Sequence, residues 1–507
     1  MSGIKCVIML TVFACSLFAQ TSPFDKQTTV PKDPIKEFQF ISYFYSHVIS
    51  NNIYPSLPLR GQLVGRLFGG NNPTRVGKTS MYTEQRLIPF FIYQPKLLDG
   101  KAILRASFEI DWVWGDANYS AGGNIGSAFN ADAVNIQTQN VELELIPAKG
   151  WAVNLGLQRV FDTPYNPYRT FFNTMTYTGY RLAFWGSDGV GVSVRHDMDF
   201  QRYKMGYYQL FENDDEKPDD IALWEFMYEK DITPSWRQGL SLWYVSDGGA
   251  GNTVYGLNGS YSGLNGQYLF PLPDYNANLF WAGTFGARNA EFNLGRWMTT
   301  GFGIFNFGTV TSSSHKDISV LGFAGNLRAG YKYGQTAEDI VTADLLFVTG
   351  DKDSNKISDN KYNGIITGNS YGLPGAIFIS SGAYLVFPHG NVVNRYVAAI
   401  TDLSNLGYGI AGGTLNFHYG IIPNKLNGKI GFAGAYSHTK PYGGGRLVGT
   451  EINARLSYNL KVFMNLELHA AYMNLGSFFD SPNTNGGQTG KLKNPWTTFL
   501  VYKWLMF

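Results

Sequence analysis

Cysteine is nearly absent: the 507 residues hold two, Cys6 and Cys15, both close to the N-terminus. If that segment is a signal peptide, the mature chain has no disulfide, no reactive thiol and no Cys-ligated metal. Charge is scarce as well, at 15% of residues, and balanced, with 40 Lys and Arg against 38 Asp and Glu. A net charge of +2 lacks the basic footprint of a nucleic-acid partner. Beyond the N-terminus no stretch reaches the roughly 18 consecutive apolar residues of a spanning helix. The seven histidines show no metal-ligand spacing, and no nucleophile-elbow motif occurs. The densest acid-base group, Arg195-His196-Asp197-Met198-Asp199, has no adjacent nucleophile, so neither an enzyme nor a cofactor is expected.

What is present points to export. Lys5 precedes an apolar stretch from Cys6 to Phe18, and Ala19 stands before Gln20, which reads as a cleavable signal peptide over residues 1–19. Val12-Phe13-Ala14-Cys15 resembles a lipobox, but Phe13 is bulky for one and apolar residues continue past it. Residues 20–58, rich in proline and polar groups, are expected to form a periplasmic leader, with the main domain over 59–507 and its first strand near Arg60. At the other end, Trp496, Phe499, Val501, Tyr502, Trp504, Leu505 and Phe507 form an aromatic run. Such a closing strand is what barrel-assembly machinery would recognise. The face carrying Phe499, Val501, Leu505 and Phe507 is expected to meet lipid, with Lys503 near the interface.

Aromatics make up 16% of the chain and glycine contributes 59 residues, a composition suited to strands. A membrane barrel needs segments of about ten residues with an apolar row toward lipid and a polar row toward the lumen, because every backbone group must pair inside a closed sheet. Leu104, Ala106, Phe108, Ile110 and Trp112 alternate with Arg105, Ser107, Glu109 and Asp111. The same alternation recurs at Trp224–Glu229, Asn326–Tyr333 and Ile452–Tyr458. A secreted sandwich or propeller of this many strands would instead need continuous inner-face cores. Short turns are expected near Pro147–Gly150, Asp197–Phe200, Asp231–Ser235, Trp297–Thr300, Gly334–Thr336 and Asn459–Lys461. Long loops fall between them, at 70–80, 115–133, 161–187, 212–220, 311–318, 350–407, 439–447 and 475–493. The fold class is therefore all-β, a transmembrane antiparallel barrel of about 18 strands (range about 16 to 20) in the bacterial outer membrane, wide enough for an aqueous path. Lipid and lipopolysaccharide are its expected surroundings.

The predicted lumen row carries Arg66, Arg86, Arg105, Arg195, Arg237, Arg288, Arg328 and Arg455 together with Glu84, Glu109, Asp111, Glu142, Glu144, Glu225, Glu229 and Asp344. The segment from Gly350 to Tyr408 is far longer than a hairpin connection, and its apolar runs, which include Phe378 and Tyr384, would be poorly placed in water. Folded inward, it would control passage. Asp351, Asp353 and Asn355 have the alternate spacing that opens a calcium loop, but Lys356 stands where such loops need glycine, and a solvated acidic loop is the ordinary reading. The acidic run with Asp214, Asp215, Glu216, Asp219 and Asp220 reads as a loop tip. Tryptophans such as Trp112, Trp151, Trp243, Trp281, Trp496 and Trp504 are expected in the interfacial girdle.

Several short words resemble the alginate-export type of outer-membrane porin: Leu155-Gly156-Leu157-Gln158-Arg159 followed by Ser187-Asp188-Gly189-Val190-Gly191, then Thr349-Gly350-Asp351-Lys352-Asp353, then Gly449-Thr450-Glu451-Ile452-Asn453. The resemblance spans roughly residues 80 to 507. It implies a passive barrel narrowed by inward loops, with residues 161–187 as a constriction element and Arg159 and Arg169 as its candidate cations. A polyanion conduit should have a strongly basic lumen. The mixed row fits small hydrophilic or sugar-like solutes, anionic oligosaccharides among them. A non-conducting barrel serving as an adhesin or scaffold is the alternative, and would show a blocked lumen or an appended domain.

Overall fold

The computed structural model describes residues 36–51, 80–113, 135–160, 164–165, 187–212, 219–250, 271–272, 274–366, 404–485 and 492–506. Its strands are β1 Phe38–Asn51, β2 Ser80–Tyr93, β3 Ala102–Val113, β4 Asn135–Leu145, β5 Trp151–Val160 and β6 Ser187–Asp197. There follow β7 Gln201–Phe211, β8 Ile221–Thr233, β9 Trp236–Asp247, β10 Asn276–Arg288, β11 Trp297–Thr311, β12 Ile318–Lys332 and β13 Ile340–Val348. The rest are β14 Lys361–Tyr362, β15 Ile410–Ile422, β16 Leu426–Tyr436, β17 Leu447–Lys461, β18 Met464–Leu475 and β19 Trp496–Met506. All lie in one sheet; β14, a pair of residues beside β12, is an inner appendage, and the other 18 form an antiparallel barrel. Closure comes from β1, which pairs with β2 on one side and β19 on the other. No edge strand is left to hydrogen-bond lipid, which is the condition for a sheet to cross a bilayer.

Connections alternate in length around the rim. Turns at 94–101, 146–150, 198–200, 234–235, 289–296, 333–339, 423–425 and 462–463 mark one end, which also holds Phe38 and Met506. The turn expected at Trp297–Thr300 lies just before it, and Trp297 opens β11. The long connections include 248–275, which the periodicity had not separated.

The barrel begins earlier than expected. Residues 38–51, assigned to a leader, form the closing strand β1. Its inward row of Ile41, Tyr43, Tyr45 and Ile49 is as apolar as its outward row of Phe40, Phe44 and Val48, so the strand shows no period of two. Arg66, close to the expected first strand, lies outside the described residues.

The last strand is turned the other way round. Phe499 and Val501 are buried on the inward row, and Lys503 on that row is 2.7 Å from Glu467. The outward row is Thr498, Leu500, Tyr502 and Trp504. Phe507 lies outside the described residues. Leu500→Arg is therefore expected to lower the yield of folded protein, since a cation near the bilayer midplane costs about 2–4 kcal/mol. Heat-modifiable mobility on gels measures it; a wild-type yield would show that this row does not face lipid.

Candidate pore and its constriction

The lumen wall has three sectors, each set by what its inward row carries. On β3 to β9 the row is charged, and the charges pair across strands. Arg105 binds Glu142 and Glu144 at 3.1 and 3.0 Å, and Arg195 reaches Glu144 at 2.6 Å. The Asn154 amide donates to both glutamates, at 3.2 and 3.1 Å. Lys204 sits 2.6 Å from Glu225, which also accepts the Tyr208 hydroxyl at 2.7 Å. Nearer the short-turn end, Arg202 meets Asp197, Glu229 and Asp231, and Arg237 meets Glu229 at 3.2 Å. The ion pairs of this sector join five cations, Arg105, Arg195, Arg202, Lys204 and Arg237, to six carboxylates. Removing one partner of such a pair would strand the other charge away from water.

Between β5 and β6, Pro164 and Tyr165 are buried. Tyr165 is wedged into the sector, its ring centroid 4.5 Å from the Arg202 guanidinium carbon and 5.7 Å from that of Arg237. Arg237 donates to the Tyr165 oxygen at 3.4 Å. Where β5 and β6 pair, Gly156 stands opposite Gly191, and a Cβ on Gly191 would collide with the Tyr207 carbonyl. Gly156, at φ +111, leaves a Cβ no room against the Val141 carbonyl, so close approaches on both strands explain glycine in two of the words that carried the resemblance.

The second sector, β8 to β13, is largely apolar inside. Leu223, Trp243, Leu279, Trp281, Ile304 and Val320 are buried there. Trp243 and Trp281 thus leave the expected girdle, whereas Trp151 and Trp504 remain outward. The covering is the segment after β13. Tyr362, Ile365 and Ile366 are buried on this wall, and β14 pairs with Ser319 and Val320. Trp281 Nε1 donates to the Ile366 carbonyl at 3.0 Å, and the Ile366 N–H donates to Asn306 Oδ1 at 2.9 Å. At the root of the segment, a Cβ on Gly350 would collide with the Tyr408 backbone.

Asp351 accepts the N–H of Asp353 at 2.8 Å and both the N–H and the amide of Asn363, at 2.9 and 3.0 Å. Asp353 accepts the hydroxyl and N–H of Ser358, and that hydroxyl holds its carboxyl below the usual range. Asn355 is exposed. These acids shape the loop through its own N–H groups.

The third sector, β15 to β18, is mixed. His418, Lys429, Arg455 and His469 fall on one cross-strand row. Lys429 donates to Asn453 at 2.8 Å, and Arg455 has a single acceptor among the described residues, Asn427 Oδ1 at 3.2 Å. Glu467 joins His469 at 2.9 Å and Lys503 at 2.7 Å.

The structure places Arg86, Arg105, Arg195, Arg237, Arg328 and Arg455 on inward rows, Arg328 being 2.8 Å from Asp344. Arg288 is a correction: it ends β10 on the exposed row of Phe280 and Thr284. Its strand offers little alternation to read, because Ala277, Leu279 and Trp281 are apolar on the inner side as well. Glu109, Asp111 and Arg159 lie on β3 and β5 with side chains outside the described residues, as do Arg169, Phe378 and Tyr384 altogether. Asp214, Asp215 and Glu216 also lie outside them. The acid-base run is split between faces: Arg195 points inward, while the His196 ring lies outward, 4.3 Å from Trp151 and 5.2 Å from Tyr203. Sequence reasoning missed Tyr165, Lys204, Asn306, Lys429 and the inward Lys503. Only Lys204 and Lys429 had a local signal, as polar members of alternating rows.

No family model matches the chain, and no curated protein matches it. Among solved structures it is similar to the outer membrane protein opdK from Pseudomonas aeruginosa, at 12% identity and a TM-score of 0.49, covering 93% of this chain and 99% of that one. A BenF-like porin from Pseudomonas fluorescens Pf-5 gives 11% identity and 0.48, covering 93% and 100%. Pseudomonas aeruginosa OccK2 (OpdF), solved in complex with glucuronate, gives 11% and 0.48, covering 93% and 98%. None of these three is described as an alginate exporter.

Proposed function

We propose that this chain is an outer-membrane channel for passive diffusion of small hydrophilic or sugar-like solutes. The observation that carries the reading is a closed 18-strand barrel with apolar outward rows and ion-paired inward rows. Barrels of this strand number leave an aqueous path, and paired charges hold water without binding a solute tightly. Lipid and lipopolysaccharide surround the outward rows, and barrel-assembly machinery inserts the chain. Among the described residues the ion pairs of the β3 to β9 sector hold one carboxylate in excess, while across the lumen Arg455 donates to the Asn427 amide oxygen. That asymmetry favours solutes with an anionic group at the Arg455 side.

Purified protein in planar bilayers is expected to give discrete single-channel steps. Arg455→Glu is expected to move the reversal potential toward cation selectivity in a salt gradient, because it inverts a charge with no carboxylate ion pair among the described residues. Equal reversal potentials would remove Arg455 from the pore. A wild type without conductance would overturn the channel reading.

A further inference from the structure

We propose that Tyr165 is a positioning residue that sets the ion selectivity of the pore, its ring pinning Pro164 and Tyr165 against the β7 to β9 wall and capping Arg202 and Arg237. The proposal rests on the channel reading and deepens it. Tyr165 follows Val160, the end of β5, by only a few residues, yet it is 4% exposed. Carboxylates line the edges of the two guanidiniums: Arg202 donates Nη1 to Glu229 at 2.9 Å and Nη2 to Asp231 at 3.1 Å and holds Nε 3.2 Å from Asp197, while Arg237 holds Nε 3.2 Å from Glu229. The Tyr165 ring lies over a flat face of each, and an aromatic ring covers a guanidinium face favourably. The phenol adds the 3.4 Å hydrogen bond from Arg237. Beneath the ring lie two cations and three carboxylates, so uncovering the cluster presents a net negative site to passing ions.

The test separates ring, volume and hydroxyl. Tyr165→Phe keeps the ring and is expected to retain wild-type conductance and reversal potential. Tyr165→Leu fills much of the space without a π face, and is expected to behave as Tyr165→Ala does, with higher conductance and a shift toward cations. A Leu variant matching wild type would reduce the residue to a space filler and overturn the proposal, as would an Ala variant matching wild type. A second measurement needs no ion flow. With Pro164→Cys as a reporter, a membrane-impermeant maleimide should label slowly alone or with Tyr165→Phe, and severalfold faster with Tyr165→Leu. Equal rates in all three would overturn the pinning, even in a barrel that does not conduct; a silent wild type with the expected labelling would sink only the channel reading.

Discussion

Replacing Ile365 and Ile366 with Asp is expected to raise single-channel conductance severalfold in a barrel that still assembles. Both side chains are buried against the β10 to β12 wall, at 0 and 1% exposure. Each contributes about 1.5–3 kcal/mol through burial, and an aspartate there would have to be desolvated without a partner. The hydrogen bonds from Trp281 and to Asn306 involve the Ile366 backbone, so they do not survive once the side chains leave the wall. Deleting residues 352–405 removes the same clamp with the segment that bears it, and should raise conductance at least as far. If both variants conduct like wild type, the segment does not narrow the path. The barrel itself should persist, since every long strand keeps both of its neighbours without it.

The alternation that made the fold legible was strongest where the two rows differ most in polarity. On β3, β8, β12 and β17 arginines and acids alternate with Leu, Ile and Trp, and a period of two follows. On β1 and β10 both rows are apolar, because Tyr45 and Trp281 face the interior beside Phe44 and Phe280 facing out. Periodicity cannot see a strand whose lumen side is itself covered by protein. The reversed reading of β19 has the same origin: Phe499 looked like a lipid residue, although it stacks on His469 at 4.6 Å inside the barrel. Turn lengths were legible at the short-turn end, where backbone geometry restricts the choice of residue. The pairing of lumen charges was not legible at all. Glu144 meets Arg195 across 51 positions of chain, and only the register of two intervening strand pairings brings them together. Tyr165 carries no local mark of its role, since one tyrosine in a polar loop looks like any other.

The buried charges of that sector should fail cooperatively when one is neutralised. Glu144 is the shared counter-ion of Arg105 and Arg195, and all three side chains are nearly inaccessible, at 4, 3 and 3%. Glu144→Gln leaves two guanidiniums with one remaining carboxylate, Glu142, and sets an amide N–H₂ against them. Breaking a buried pair in this way costs about 3–5 kcal/mol, mostly because an uncompensated charge stays behind. Glu144→Gln with Arg195→Met should recover much of that loss, since Arg105 keeps its 3.1 Å contact with Glu142 and no cation is stranded. Urea titrations of protein refolded into lipid vesicles would measure both. The single variant that does assemble should also shift toward anions, because its β3 to β9 wall loses a carboxylate and keeps every cation. A double variant no more stable than the single one would mean that Arg195 is not stranded when Glu144 is neutralised, and that water reaches this wall despite its burial.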